Sequence, residues 1–327
     1  MKKTLALILA LVMALSMLTV ATAEEPKALK TGLAIVTNLK DSKDAEKAAY
    51  DMTLVAVLVD DEGIIHDCKI DSVGATVNFD ATGTITSDVT APVLSKNELG
   101  ADYGMVAWGG AVAEWDAQAD ALAQFAIGKT VAEFKAGAID ETGKAPAGSD
   151  LATTATIYLG GYVNAVEIAA TYAQHLGAKE GDSVKLAVVS DLADSKSATA
   201  DAAGQAQLYL QAIALSEKDG VITSAYINAV QAKVDFDAAG KITTDLTAPV
   251  LSKNQLGEKY GMVAWGGAIA EWDVQAASFC QYITGKTAAE VAGIAVNEKT
   301  APTDADLTAT VTIKIGDFKT LVEKAMN

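Results

Sequence analysis

The chain of 327 residues contains no arginine: all 25 of its basic side chains are lysines, set against 42 acidic ones. A bidentate guanidinium clamp for phosphate or carboxylate is therefore missing at every position. The formal net charge of −17 makes nucleic acid a poor partner and repels anionic lipid headgroups. Histidine and cysteine are almost as scarce, with His66, His175, Cys68 and Cys280 as the full complement. Three or four soft ligands cannot be assembled from that set, so no metal site is expected. A Ser-His-Asp arrangement would have to use one of two unrelated histidines, and no G-x-S-x-G is present. Cys68 and Cys280 could form at most one cross-link, and pairing in an oxidising compartment stays open.

Long apolar runs are confined to the amino terminus. Lys2 and Lys3 precede an uncharged stretch from Leu5 to Val20, followed by the small-x-small triplet Ala21-Thr22-Ala23. That order is the pattern of a secretory signal peptide over residues 1–23. The expectation is a secreted or cell-surface product that begins at Glu24 and has no membrane insertion after cleavage.

The rest of the chain repeats itself. Residues 79–119 and 236–276 are identical at 32 of 41 positions, and LAIVTNLKDSK (Leu33–Lys43) answers LAVVSDLADSK (Leu186–Lys196). DLATTATIYLGGY (Asp150–Tyr162) likewise answers DLTATVTIKIGDF (Asp306–Phe318). Two tandem homologous modules, 24–178 and 179–327, follow, each of ordinary domain size. In each copy, LAIVT reads as a strand, TLVAVLVDDEG with IIHDCKI as a strand pair, and ATVNFDATGTITSD as a further hairpin. A helix is expected from Gly109 to Ile127, a second behind Thr130 as its cap, and a last strand and helix in TATIYLGGYVNAVEIAATYAQHLG. The fold class is α+β: a mainly antiparallel sheet covered by helices, twice.

Four tryptophans occur, and they fall in matching places: Trp108 and Trp115, then Trp265 and Trp272. Tyr103, Trp108, Gly109 and Gly110, with Tyr260, Trp265, Gly266 and Gly267, form the candidate ligand site. Their rings would make a stacking wall, and the glycines would leave backbone N–H groups accessible at a helix start. The carboxylates Glu114 and Asp116, repeated as Glu271 and Asp273, are read as a solvated helix face and not as an acid/base pair. No catalytic residue is assigned.

The segment LxxxYGM…GGAxAEWDxQA, the GKT after it and the closing DLxxxxTIxxGxF resemble secreted tandem-repeat proteins of anaerobic Gram-positive bacteria. The D-x-x-G-x-I turns and closing helix are more distantly similar to the FMN-binding domain of electron-transfer proteins. In that family a threonine of a Ser-Gly-Ala-Thr motif carries FMN. Its place is taken here by Leu151-Ala152-Thr153-Thr154 and Leu307-Thr308-Ala309-Thr310, so the resemblance puts the attachment role on Thr154 and Thr310. Two readings stand: an exported non-enzymatic protein that binds a small molecule or an envelope component, and a flavin-binding electron carrier with FMN as cofactor.

Overall fold

The computed structural model describes residues 25–327, and the signal-peptide segment 1–23 lies outside them. Three strands open the first half: β1 (Lys30–Asn38), β2 (Lys47–Val59) and β3 (Ile65–Asn78). They pair antiparallel in the order β1-β2-β3. Six helices follow: α1 (Lys96–Leu99), α2 (Met105–Gly109), α3 (Trp115–Ala126), α4 (Val131–Ala138), α5 (Asp150–Thr154) and α6 (Gly160–Thr171). The second half has the same order. Its strands are β4 (Ser183–Asp191), β5 (Gly204–Lys218) and β6 (Val221–Phe236). Its helices are α7 (Lys253–Leu256), α8 (Met262–Gly266), α9 (Trp272–Ile283), α10 (Ala288–Ala292), α11 (Ala305–Thr308) and α12 (Gly316–Met326).

The fold is α+β, and the two sheets lie against each other. Successive side chains of a strand point to opposite faces, and β2 uses both. Met52, Leu54, Ala56 and Leu58 join a core shared with Leu208, Leu210, Ala212 and Ala214 of β5. Val55, Val57 and Val59 lie instead under α3 and α6. In the second half Ile213 and Leu215 turn the other way, towards Phe279 of α9 and Phe318 of α12. The layers therefore run helices, sheet, sheet, helices, with three cores between them.

Where β3 and β6 end, Phe79 stacks on Phe236 across the sheet-to-sheet contact, with ring centroids 4.0 Å apart and planes within 3°. Around that pair the two halves exchange equivalent contacts. Ala45 N donates to Gly240 O and Ala198 N to Gly83 O; Ile242 N donates to Asp44 Oδ1 and Ile85 N to Ser197 Oγ. Glycine is required at both turns. Gly83 and Gly240 have φ of +67° and +71°, and a Cβ would come within 2.6 Å of Ala198 Cβ or 2.4 Å of Asp80 O.

Three expectations need correction. The ATVNFDATGTITSD hairpin is reduced to single bridges, Phe79 to Ile85 and Phe236 to Ile242, because β3 and β6 run straight on through its first residues to pair with β2 and β5. The helix expected from Gly109 starts at Trp115, where Glu114 takes extended geometry as the N-cap residue. The closing strand does not form. Gln118, fully buried, accepts from the N–H groups of Thr156 and Ile157, so that stretch bonds to a side chain and not to a ladder. Thr130 caps α4 as expected, in a capping box with Glu133.

Truncating either stacked ring, Phe79→Ala or Phe236→Ala, is expected to cost about 3–5 kcal/mol in urea unfolding. A double-mutant cycle is expected to show about 0.5–1.5 kcal/mol of coupling between them. Strictly additive losses would mean that the rings fill space without interacting.

Candidate functional site

The two tryptophan-bearing turns are built alike. Gly104 and Gly110 bracket α2 in left-handed geometry, as Gly261 and Gly267 bracket α8. The carboxylate of Glu114 accepts from Met105 N at 2.8 Å and Val106 N at 3.0 Å, and Glu271 does the same for Met262 and Val263. A carboxylate on the free N–H groups of a helix start satisfies them and the helix dipole together. The indole of Trp108 lies over Gly104, where a Cβ would come within 2.2 Å of Trp108 Cδ1; Gly261 relates to Trp265 in the same way. Trp108 and Trp265 are each 90% exposed, and Val106 and Val112 in one half and Val263 and Ile269 in the other are exposed as well.

These positions revise the sequence-based site. Trp108 and Trp265 are presented outward on fixed turns, whereas Trp115 and Trp272 are buried in the cores. Tyr103 and Tyr260 do not build a wall with the exposed indoles. Their rings face Lys96 and Lys253, at 5.2 Å and 4.8 Å, and the Tyr260 hydroxyl donates to Gln231. Gly109, Gly110, Gly266 and Gly267 sit at the carboxyl ends of α2 and α8, not at a helix start. The Gly110 and Gly267 N–H groups are spent on Val106 O and Val263 O, so no anion cradle is present there. Glu114 and Glu271 are helix-capping groups, not members of a solvated face. The Thr154 and Thr310 hydroxyls bond the carbonyls of Leu151 and Leu307 within their own turns.

Cys68 and Cys280 are free and buried in the separate helix-side cores of the two halves, with Cys280 at the wall of the groove described below. Burial pushes the Cys280 thiol up to about 12 and raises that of Cys68 as well. His66 bonds Asp60, which also accepts from Ile64 N to close the turn between β2 and β3. Among the described residues no group of three or more His, Cys, Asp or Glu side chains is placed to hold a metal ion. No described helix is long and apolar enough to cross a membrane.

Two features escaped the sequence reading. Lys253 is buried against the rings of Tyr209, Tyr260 and Trp272 at 4.7, 4.8 and 4.9 Å, and it donates to the Tyr209 hydroxyl. Without a carboxylate partner among the described residues, burial lowers its pKa to about 8. The second feature is a groove at the contact between halves. A cavity of about 800 Å³ lies between α9 and the segment after α6, lined by Gln174, His175, Tyr226, Asn254, Asp273 and Gln281. A cavity of about 310 Å³ beside β1 shares Gln174, Tyr226 and Asn254 with it. A third, of about 340 Å³, lies near Pro26 and Lys179, and none of the three is lined by Trp108, Trp265, Thr154 or Thr310.

Compared with known proteins, the chain matches no family model, no curated relative and no solved structure.

Replacing Glu114 by Gln leaves one of the two N–H groups without an acceptor and is expected to cost about 1–3 kcal/mol. The loosened turn is expected to show as faster depolarisation of indole fluorescence in a protein whose only exposed tryptophan is Trp108, prepared with Trp265→Phe. Lys253 supplies a pH test. Its folded pKa of about 8 lies below the ordinary 10.5, so over that window the unfolded chain holds a proton that the native state has released. Taken alone, Lys253 makes stability rise with pH from about 8 to 10.5, while the buried Cys68 and Cys280 thiols, whose protons the unfolded chain loses first, act in the opposite direction. The stability of the parent relative to Lys253→Met, in which the thiol contribution cancels, is expected to rise across that window in paired unfolding measurements.

Proposed function

We propose that the chain is an exported, non-enzymatic binding protein built from two tandem copies of one module, which engages a component of the cell envelope through its paired tryptophan turns. The observation that carries this reading is the presentation of Trp108 and Trp265, each 90% exposed and each fixed by the same glycine and glutamate geometry. Large aromatic side chains are ordinarily kept from water. Two held out at equivalent positions on capped turns match the rigid aromatic anchors that dominate binding surfaces. The amino-terminal pattern supports export, and the repeat supports two contacts per molecule, where the second contact gains from effective concentration.

The test is co-sedimentation with purified Gram-positive cell-wall sacculi. Trp108→Ala and Trp265→Ala are each expected to weaken retention, and the double variant to lose at least about tenfold, more than either single change. Because the rings are exposed, unfolding midpoints are expected to stay within about 0.5 kcal/mol of the parent. Unchanged retention of the double variant would overturn the reading. So would turnover of a small substrate that is lost on changing one polar side chain.

A further inference from the structure

The two sheets meet along two seams, β4 beside β3 and β1 beside β6, and the seams are finished differently. Along β4 the outward-facing edge is closed from the first half. Ser190 Oγ donates to Val93 O, and Lys324 Nζ donates to Val188 O while pairing with Glu98. The matching positions along β1 are Thr37, Val250, Ile35, Ile168 and Gln255. Here Lys324 is replaced by Ile168 and Glu98 by Gln255, neither of which can form the clamp, and Thr37 Oγ1 has no hydrogen-bond partner. The seam stands open as the two connected cavities of about 310 and 800 Å³, sizes typical of ligand sites.

The floor of this opening is a strand edge. Thr31 exchanges both backbone hydrogen bonds with Gln174, which fixes the outward direction of the alternate residues of β1. Leu33, Ile35 and Thr37 therefore face outward with their N–H and C=O groups, and none has a backbone partner there among the described residues. Beside that edge, Asn254 donates through Nδ2 to Ile227 O, but its Oδ1 is buried and has no partner; Asp273 Oδ1, in the wider cavity, is in the same state. Both oxygens are closed to solvent, and Asp116 Oδ1, the counterpart of Asp273 Oδ1 in the other half, is unpartnered as well, so an occupant is held by the strand edge and not by these atoms. No lysine lines either cavity, and the one histidine there, His175, is already bonded to Asp61 Oδ1, while Asp273 adds negative charge, so an acidic ligand is disfavoured.

We propose that the open seam is a binding groove for an extended peptide of uncharged or basic residues, which adds to the free edge of β1 as a further strand. Its backbone would pair with Leu33, Ile35 and Thr37, at about 3.3 Å per residue along the edge. The site is separate from the tryptophan turns and does not depend on them.

The test uses the purified protein and three fluorescent, end-blocked hexapeptides that alternate valine with asparagine, lysine or glutamate. Anisotropy titrations are expected to show binding of the asparagine and lysine peptides, with the glutamate peptide at least tenfold weaker. N-methylation of the amides that face β1 in the asparagine peptide is expected to cost at least another tenfold. The variant Ile168→Lys with Gln255→Glu transfers the clamp of the closed seam to the open one and is expected to lose at least tenfold. Trp108→Ala with Trp265→Ala is expected to leave peptide binding unchanged. Hydrogen exchange gives a second readout in the parent protein: the Leu33 and Ile35 amides are expected to slow on addition of the asparagine peptide.

Absence of binding by all three peptides at millimolar concentration would overturn the proposal, as would binding that neither the clamp variant nor N-methylation weakens. Exchange of the Leu33 and Ile35 amides that is unchanged by peptide would do the same. Concentration-dependent dimerisation abolished by the clamp variant would make a second copy of the chain the occupant and overturn it too.

Discussion

Burial of one sheet face against the other is the interaction on which the rest of the molecule depends. A three-stranded sheet with helices on one side still has a bare side, and in each half that side is a continuous apolar row: Met52, Leu54, Ala56 and Leu58 in β2, with Leu208, Leu210, Ala212 and Ala214 in β5. Left in water, such a row would be an exposed patch of the kind that soluble chains cover. Each half supplies the cover for the other, and the Phe79–Phe236 stack marks where the two equivalent surfaces meet. The helix layers then complete two outer cores that have no side chains in common.

This arrangement places function at the margins. The central faces are consumed by packing, so the surfaces free to differ are the turns beyond the sheets and the seams between them. The turns are nearly identical, down to the Glu114 and Glu271 carboxylates and the glycines under both indoles. The seams differ. A lysine and a glutamate at one pair of positions, against an isoleucine and a glutamine at the other, separate a sealed edge from an open one.

The strands that pair within a half were legible from the apolar runs and glycine turns, and Thr130 was legible as a cap because Glu133 stands three residues on. The stacking of the sheets was not. From Leu54 to Val59 β2 is buried on both faces, so that stretch is an unbroken apolar run in which period-two alternation cannot be seen. The MVAWGG turn was misread for a related reason. A glycine pair signals a helix boundary without telling a start from a stop, and only the φ of Gly110 and its N–H bond to Val106 O identify the stop. Gln118 gave no warning at all: one glutamine in a polar-looking stretch holds the 156–157 backbone and cancels a strand that alternation alone supports. Lys253 and the open seam depend on contacts between segments far apart in the chain, which local patterns do not record.

The equivalence of the two sheet faces carries a consequence for folding. The surface that covers the first half is nearly the surface the first half itself presents, so a half freshly formed on one chain can be covered by its own partner half or by one from a neighbouring chain. The short connection through Gly177 to Asp182, pinned by Lys27 and Leu29 to Glu180 and Ala178, favours the intramolecular choice by holding the correct partner close. At high chain concentration that advantage shrinks. Domain-swapped dimers, in which each of two chains completes the other, are then the natural competing product of refolding.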